Sequence, residues 1–459
     1  MFRSFCGWAR RLVHGGLVAL LALAGLPVNL SAQVRVVGYY PAWMKTKLPA
    51  ARMQFQYLTH LNHAFAWPLA DGSIASYAEL NHPELIQETH RAGKKILIAL
   101  GGWGQSDGFA AMSADSAARA RFIGNLVDFC ASRGYDGADF DWEFPRNATE
   151  RANLTRLVKE VRQAFVAADK GWLLTMVAVT SNWSGQWHDY TALAREVDWF
   201  NLMAYDFHGS WTNHAGHNAP LFAPASEYDG SAHQGILYLR DQRGVPKEKI
   251  HLGVPFYGRE FNATRLYGPS TGGTDVEYGA IPARLNAGWE YFWDDVAKVP
   301  YLLNTGRTKF LTFDDSVSLR HKCEYIKQNR LGGAMIWALG QDVFNNTQPL
   351  LEAMGRALNP GVAVAASTPA TLEKFELFQN YPNPFNPATT IVFSLAADAA
   401  VKLTIYSLTG EQIAVLVDGL VTRGRHAFTW EAAGHPSGVY FVQLEVAGAI
   451  AAEKMTLLR

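Results

Sequence analysis

Cysteine is scarce in this chain, with three in 459 residues, at positions 6, 130 and 323. Cys6 falls in a leader-like segment, which leaves at most one pair and excludes a disulfide framework. Cys130 and Cys323 lie in helix-like stretches, Arg119–Arg133 and Ser316–Asn329, and are expected as two separate buried thiols. Net charge is lacking too: 41 basic residues balance 41 acidic ones, and nothing in that balance points to a nucleic-acid partner. The apolar run Gly16–Leu26 is too short for a comfortable membrane span, and no later stretch reads as a transmembrane helix. Arg3, Arg10 and Arg11 precede that run and small residues follow it at Ser31-Ala32, so residues 1–32 read as a secretory signal. Cleavage is expected near Ala32–Gln33; an uncleaved anchor is the alternative. Removing the three leader arginines leaves 38 basic residues against 41 acidic.

What the chain has in quantity is aromatic residues, including fourteen Trp. Flat rings stack on sugar faces, but Trp is also ordinary core material. Aromatics and acids meet in Tyr135-Asp-Gly-Ala-Asp-Phe-Asp-Trp-Glu-Phe-Pro145. On a strand, Asp139, Asp141 and Glu143 share one face while Phe140, Trp142 and Phe144 take the other. Same-face neighbours stand roughly 6.5–7 Å apart, so in a shielded site the three acids cannot all ionise cheaply. A carboxyl proton retained near neutral pH is what general-acid cleavage of an ether-like bond requires. The plain alternative is an edge strand with its acids in solvent. Asp136 differs in parity and reads as structural. An Asp-x-Asp-x-Glu run also suggests a metal site, but no histidine pattern accompanies it, so neither metal nor cofactor is expected.

From Val34 short apolar runs alternate with amphipathic ones. Strands are expected at Arg35–Tyr40, His60–Ala66, Lys95–Leu100, Gly137–Trp142, Leu173–Ala178, Trp199–Tyr205, His251–Phe256 and Gly333–Ala338. Helices are expected at Pro83–Ala92, Ala117–Arg133, Thr149–Ala168, Ser231–Arg243 and Val317–Asn329. This alternation predicts an α/β fold, a closed (β/α)8 TIM barrel over residues 33–358 with its active site at the C-terminal strand ends. The stretch between the seventh and eighth strands, about 261–332, is too long for a loop and is expected to fold as a small insertion on that face. Residues 359–372 are small and Pro-bearing and read as a linker. Residues 373–459 carry evenly spaced short β-type runs, which predicts an all-β sandwich domain.

The run Asp136-Gly-Ala-Asp-Phe-Asp-Trp-Glu143 resembles the Asp-x-x-Asp-x-Asp-x-Glu signature of glycoside hydrolase family 18, the chitinase family. Gly38-Tyr-Tyr-Pro-Ala-Trp43, Asn62-His-Ala-Phe65, Gly101-Gly-Trp103, Met203-Ala-Tyr-Asp206, Gly253-Val-Pro-Phe-Tyr-Gly-Arg259 and Gly332-Gly-Ala-Met-Ile-Trp337 extend the likeness across most of Val34–Ala357. One departure is Ala99-Leu-Gly-Gly102, where the family often has Ser-x-Gly-Gly. The missing hydroxyl removes a hydrogen bond behind the inner aspartates and is expected to tune their protonation. The tail motifs Phe378-Gln-Asn-Tyr-Pro-Asn-Pro-Phe-Asn-Pro387, Ile405-Tyr-Ser-Leu-Thr-Gly410 and Ser437-Gly-Val-Tyr-Phe441 resemble the C-terminal sorting domain of bacterial type IX secretion. A sandwich that binds carbohydrate is the alternative there.

The resemblance implies roles position by position. Glu143 would protonate the glycosidic oxygen, and the substrate's own 2-acetamido oxygen would be the nucleophile, as in the substrate-assisted exception to two-carboxylate retention. Asp141 would orient the acetamido N–H, with Asp139 sharing a proton behind it, and Tyr205 would donate to the acetamido oxygen. Met203 and Asp206 would shape the site, Trp337 would form its floor, and Tyr39, Phe65, Gly102 and Trp103 its walls. Arg259 would bind a neighbouring sugar, or else pair only with Glu260 or Asp206. Trp183, Trp187, Trp211, Trp289 and Trp293 are divided between cleft lining and packing. The expected function is a secreted chitinase, acting as a monomer on chitin or another N-acetylglucosamine-containing glycan and exported by outer-membrane secretion machinery. An endo-β-N-acetylglucosaminidase or peptidoglycan hydrolase of the same chemistry, a non-catalytic chitinase-like lectin, and an adhesive surface protein are the other readings.

Overall fold

The computed structural model describes residues 34–458 apart from 225–229, 286, 345, 360–374, 396–397 and 447–448. The expected leader, and the expected linker beyond Asn359, lie outside the described residues.

Runs such as Lys-Ile-Leu-Ile-Ala-Leu-Gly form strands buried on both faces, as a parallel sheet under helices requires. The barrel strands are β1 (Arg35–Pro41), β2 (His60–Pro68), β3 (Lys95–Gly101), β4 (Gly137–Asp141), β5 (Leu173–Ala178), β6 (Trp199–Leu202), β7 (Ile250–Pro255) and β8 (Gly333–Trp337). Each pairs parallel with the next, and β1 also pairs with β8, which closes an eight-strand parallel barrel. Local sequence sets the outer helices. Asp115 and Asn147 accept backbone bonds at the N-termini of Ser116–Arg133 and Ala148–Ala167, and Gly134, at φ 83°, ends the first of these. Strand alternation separates two cores. Outward residues such as Ile96, Ile98, Phe140, Met176 and Leu252 pack under the helices. Tyr39, Ala64, Ala99, Val177 and Met335 form a smaller cluster with Trp337.

Three elements differ from expectation. The sixth strand stops at Leu202 rather than Tyr205, because Ala204 N–H turns back to the Leu202 carbonyl. The helix expected over Ser231–Arg243 is α-helical only to Leu237 and then widens into a π-turn over Tyr238–Gln242. The insertion begins at Tyr257, immediately after β7, as a five-stranded antiparallel sheet that runs to Thr312. Helix Ser316–Asn329, included in the span expected for the insertion, follows that sheet and packs on helix Pro349–Leu358. From Phe375 on, a three-stranded and a four-stranded antiparallel sheet share one apolar core centred on Ile391, Leu403, Val442 and Leu457. The sandwich includes a short strand at Phe375–Leu377. Among the described residues no helix is long and apolar enough to cross a membrane. Cys130 and Cys323 are free and buried, as expected.

Candidate active site

Period-two geometry on β4 does what the sequence dictates. Phe140 and Trp142 point outward, and Trp142 stacks on Phe109 with ring centroids 5.2 Å apart. Asp139 and Asp141 are buried, at 0% and 4% exposure, and Glu143 follows at the rim. The strand ends at Asp141 because β3 closes over it: Gly102 N–H donates to the Asp141 carbonyl at 2.8 Å. A Cβ on Gly101 would lie 2.2 Å from that carbonyl oxygen, and one on Gly102 would lie 2.7 Å from the Phe65 ring. Both glycines also hold positive φ, so this approach admits nothing larger.

Asp139 sits in a cage of donors. Tyr39 Oη and Thr175 Oγ1 each donate at 2.5 Å, and Asn201 Nδ2 at 2.9 Å. Burial pushes its pKa up to about 6 against these lowering bonds. Ala99, its register neighbour on β3, offers no hydroxyl, whereas Thr175, its neighbour on β5, does. Asp141 is raised well above the usual carboxylate range by burial, then by the charges of Glu143 and Asp139. Its Oδ1 is buried and has no hydrogen-bond partner among the described residues. Glu143 is pushed up to about 7, first by burial and then by Asp206. Its backbone N–H donates to Ser106 Oγ at 3.0 Å.

Around the acids, Trp337 stacks on Phe65 at 5.6 Å and meets Tyr39 edge-on at 5.7 Å. Tyr205, Met203 and Trp337 pack on the cluster containing Met335. Asp206 adopts φ 61°, uncommon for a side-chain-bearing residue. It is held there by Tyr257 Oη at 2.5 Å and by Arg259 Nη2 at 2.6 Å. Arg259 is thus paired with Asp206, and also with Asp275 at 2.7 Å, while Glu260 pairs instead with Arg284 and Lys309. The Arg259 guanidinium lies 4.7 Å from the Trp211 ring centroid. Since Arg259 belongs to the insertion sheet, these bonds bring that sheet against the rim of the barrel.

A cleft of about 560 Å³ opens beside the acids, lined by Trp103, Ser106, Glu143, Phe144, Arg146, Trp183 and Trp187. Of the three strand acids Glu143 alone lines it. Trp103 and Trp183 are 80% and 74% exposed, wide faces for flat ligands. Trp289 packs with the insertion's own apolar cluster, and Trp293 lies beside His321. Asp136 bonds Lys95, His90 and the Ile96 N–H, away from this group. Sequence reasoning missed Thr175, Asn201, Ser106, Tyr257 and Asp275. The inward parity of Thr175 and Asn201 was readable, but which residues share a barrel level depends on register.

Residues 35–342 match the family described as Glycosyl hydrolases family 18. The chain belongs to glycoside hydrolase family 18. Residues 379–457 match the secretion system C-terminal sorting domain. Among family 18 relatives, Chitinase A1 of Niallia circulans is 33% identical over 66% of this chain and 49% of its own length. Chitotriosidase-1 of Mus musculus is 31% identical over 75% of this chain and 83% of its own. The chain therefore spans about half of Chitinase A1 but most of the mouse protein. The Ostrinia furnacalis Group IV chitinase in complex with allosamidin superposes with TM-score 0.66 and 27% identity, over 72% of this chain and 99% of that one.

Proposed function

We propose that this family 18 chain is a secreted retaining chitinase that hydrolyses β-1,4 bonds between N-acetylglucosamine units by substrate-assisted catalysis. The observation that carries this reading is the acid file at the end of β4, with proton-retaining Glu143 at the cleft and Asp141 Oδ1, an acceptor with no partner among the described residues, behind it. Glu143 protonates the glycosidic oxygen as the bond to C1 breaks, and the acetamido carbonyl oxygen closes onto C1 to give an oxazolinium ion. Asp141 accepts the acetamido N–H and balances the positive charge, Asp139 shares its proton, and Tyr205 donates to the acetamido oxygen. Water then opens the ring, giving its proton to Glu143. A nucleophile already tethered to the sugar gains the advantage of an intramolecular reaction. Trp337 with Phe65 and Tyr39 forms the apolar floor, and Trp103 the outer wall. Likeness to the sorting domain, together with the signal-like residues 1–32, supports export across both membranes of a bacterial envelope.

The test is release of oligosaccharides from chitin and from short N-acetylglucosamine oligomers, with product anomers followed by NMR. Retained β configuration, unchanged by chelators, is expected. Inversion, or strong loss on chelation, would overturn the mechanism. Turnover of glycopeptides or peptidoglycan without chitin would move the substrate, and tight binding without turnover would leave a lectin.

Arg259→Met gives a further expectation. Removing the guanidinium leaves the Asp206 charge uncompensated, and that charge raises the Glu143 pKa. Activity that needs protonated Glu143 is lost as pH rises through about 7. In the variant that alkaline limb should move upward by several tenths of a pH unit. An unmoved limb would confine Arg259 to holding the insertion.

A further inference from the structure

The inward positions of a parallel barrel are ordinarily filled by branched apolar side chains. Beneath Asp139 this barrel departs from that rule. Asn201 on β6 reaches Asp139, and Asn62 on β2 helps lower its pKa. One inward step further down, at Trp199 on β6 and His60 on β2, the residues are again polar or amphipathic. His251 on β7 stacks on Trp199 with centroids 5.0 Å apart, and His60 meets the same ring edge-on at 4.8 Å. Asn201 and His251 are register partners across β6 and β7.

Asn62, Asn201 and His251 are wholly buried and Trp199 is 1% exposed. Yet Asn62 Oδ1, Asn201 Oδ1, Trp199 Nε1 and both ring nitrogens of His251 have no hydrogen-bond partner among the described residues. Leaving such atoms dry is costly, and native interiors meet this need with ordered water. The set is mixed in the way a water file needs. Trp199 donates, Asn62 Oδ1 and Asn201 Oδ1 accept, and His251, held neutral by burial, offers one of each. The lower end lies at half-buried His60, beside the charges of Arg35, Lys94, Lys95 and Asp136, with the Arg35 guanidinium 5.0 Å from the Trp199 ring centroid. The upper end is Asp139, faced by Tyr39, Thr175 and Asn201 and by the acid Asp141.

We propose that a file of ordered waters runs along the barrel axis beneath Asp139, anchored on Asn62, Asn201, Trp199 and His251 and open to solvent beside His60, through which the Asp139 carboxyl exchanges protons. Each hop is balanced: a water gives a proton to Asp139 and takes one from the next water, and solvent at the lower mouth supplies the last. Neither histidine need ionise. The catalytic use of this exchange, while a sugar covers Asp141, rests on the function proposed above; the waters themselves do not.

A high-resolution crystal structure of the whole chain should show at least two axial waters, each within about 3.2 Å of two of the named atoms. A dry interior would overturn the proposal. The exchange is read by infrared spectroscopy as the deuterium shift of the Asp139 carboxyl band, identified by its absence in Asp139→Asn. It is measured in Glu143→Gln with and without an N-acetylglucosamine oligomer. His251→Leu and Trp199→Phe should each slow exchange at least tenfold, whereas His251→Gln, which keeps a polar anchor, should not. Equal rates in all variants would overturn the relay, and Trp199→Phe alone decides if His251→Leu fails to fold. An oligomer that does not bind would count against the proposed function while leaving the unliganded exchange result standing.

Discussion

Glu143→Gln should cut turnover of chito-oligosaccharides by roughly 10²–10⁴-fold while changing their binding only a few-fold. The amide keeps the shape and polarity of the side chain but has no proton to give to a leaving oxygen. The pKa of about 7 on Glu143 comes first from burial and then from Asp206, so the protonated acid is present at neutral pH. Binding is measured by calorimetry, turnover by product release. Equal loss of both would mean that Glu143 holds the sugar rather than acting on it. The same variant has a stability signature with a fixed sign. A carboxyl whose folded pKa is raised favours the native state below its unfolded value, and that contribution is lost as pH rises through the folded value. Glu143→Gln should therefore gain on the order of 3 kcal/mol relative to the parent at pH 8 and almost nothing at pH 4. A gain at pH 4 would sink the desolvation account.

Lys322→Met should destabilise the catalytic domain by about 3–5 kcal/mol. Lys322 Nζ lies 2.6 Å from Asp314 Oδ2, and both side chains are only 1% exposed. Ser318 Oγ satisfies the other carboxylate oxygen at 2.7 Å. The pair joins the chain leaving the insertion sheet to helix Ser316–Asn329, whose first turn is fixed by the Asp315–Ser318 capping box. Removing the ammonium leaves a carboxylate in an apolar interior, and water cannot reach it without opening that junction. Because replacing both partners removes the stranded charge, Asp314→Leu with Lys322→Met should recover most of the loss. Calorimetric unfolding of the single and double variants measures this. A single-variant loss below about 1 kcal/mol would show that the pair behaves as exposed ions do.

Much of the fold was legible because its signals are local. Lys95–Gly101 carries its apolar run in one piece, and the acids of β4 alternate with Phe140 and Trp142 at the strand period. Errors fall where tertiary bonds override that pattern. The backbone after Leu202 turns because Ala204 and Met203 bond to carbonyls of Leu202 and Ala178, not because Met203 or Tyr205 disfavour a strand. Arg259 illustrates the same limit. Its charge was visible, but its choice of Asp206 and Asp275 over Glu260 depends on how the insertion sheet folds over the rim.

The sequence by itself determined that three carboxylates would face one way, separated by aromatics, at the end of a buried strand. Tertiary structure decided what holds them. The donors to Asp139 lie 100, 36 and 62 residues away, at Tyr39, Thr175 and Asn201. They meet because barrel closure brings β1, β5 and β6 to one level with β4. Strand period is a property of neighbouring residues, whereas register belongs to the closed sheet, so only the folded barrel could show that Thr175 donates to Asp139 while Ala99, on the other side of it, offers no hydroxyl.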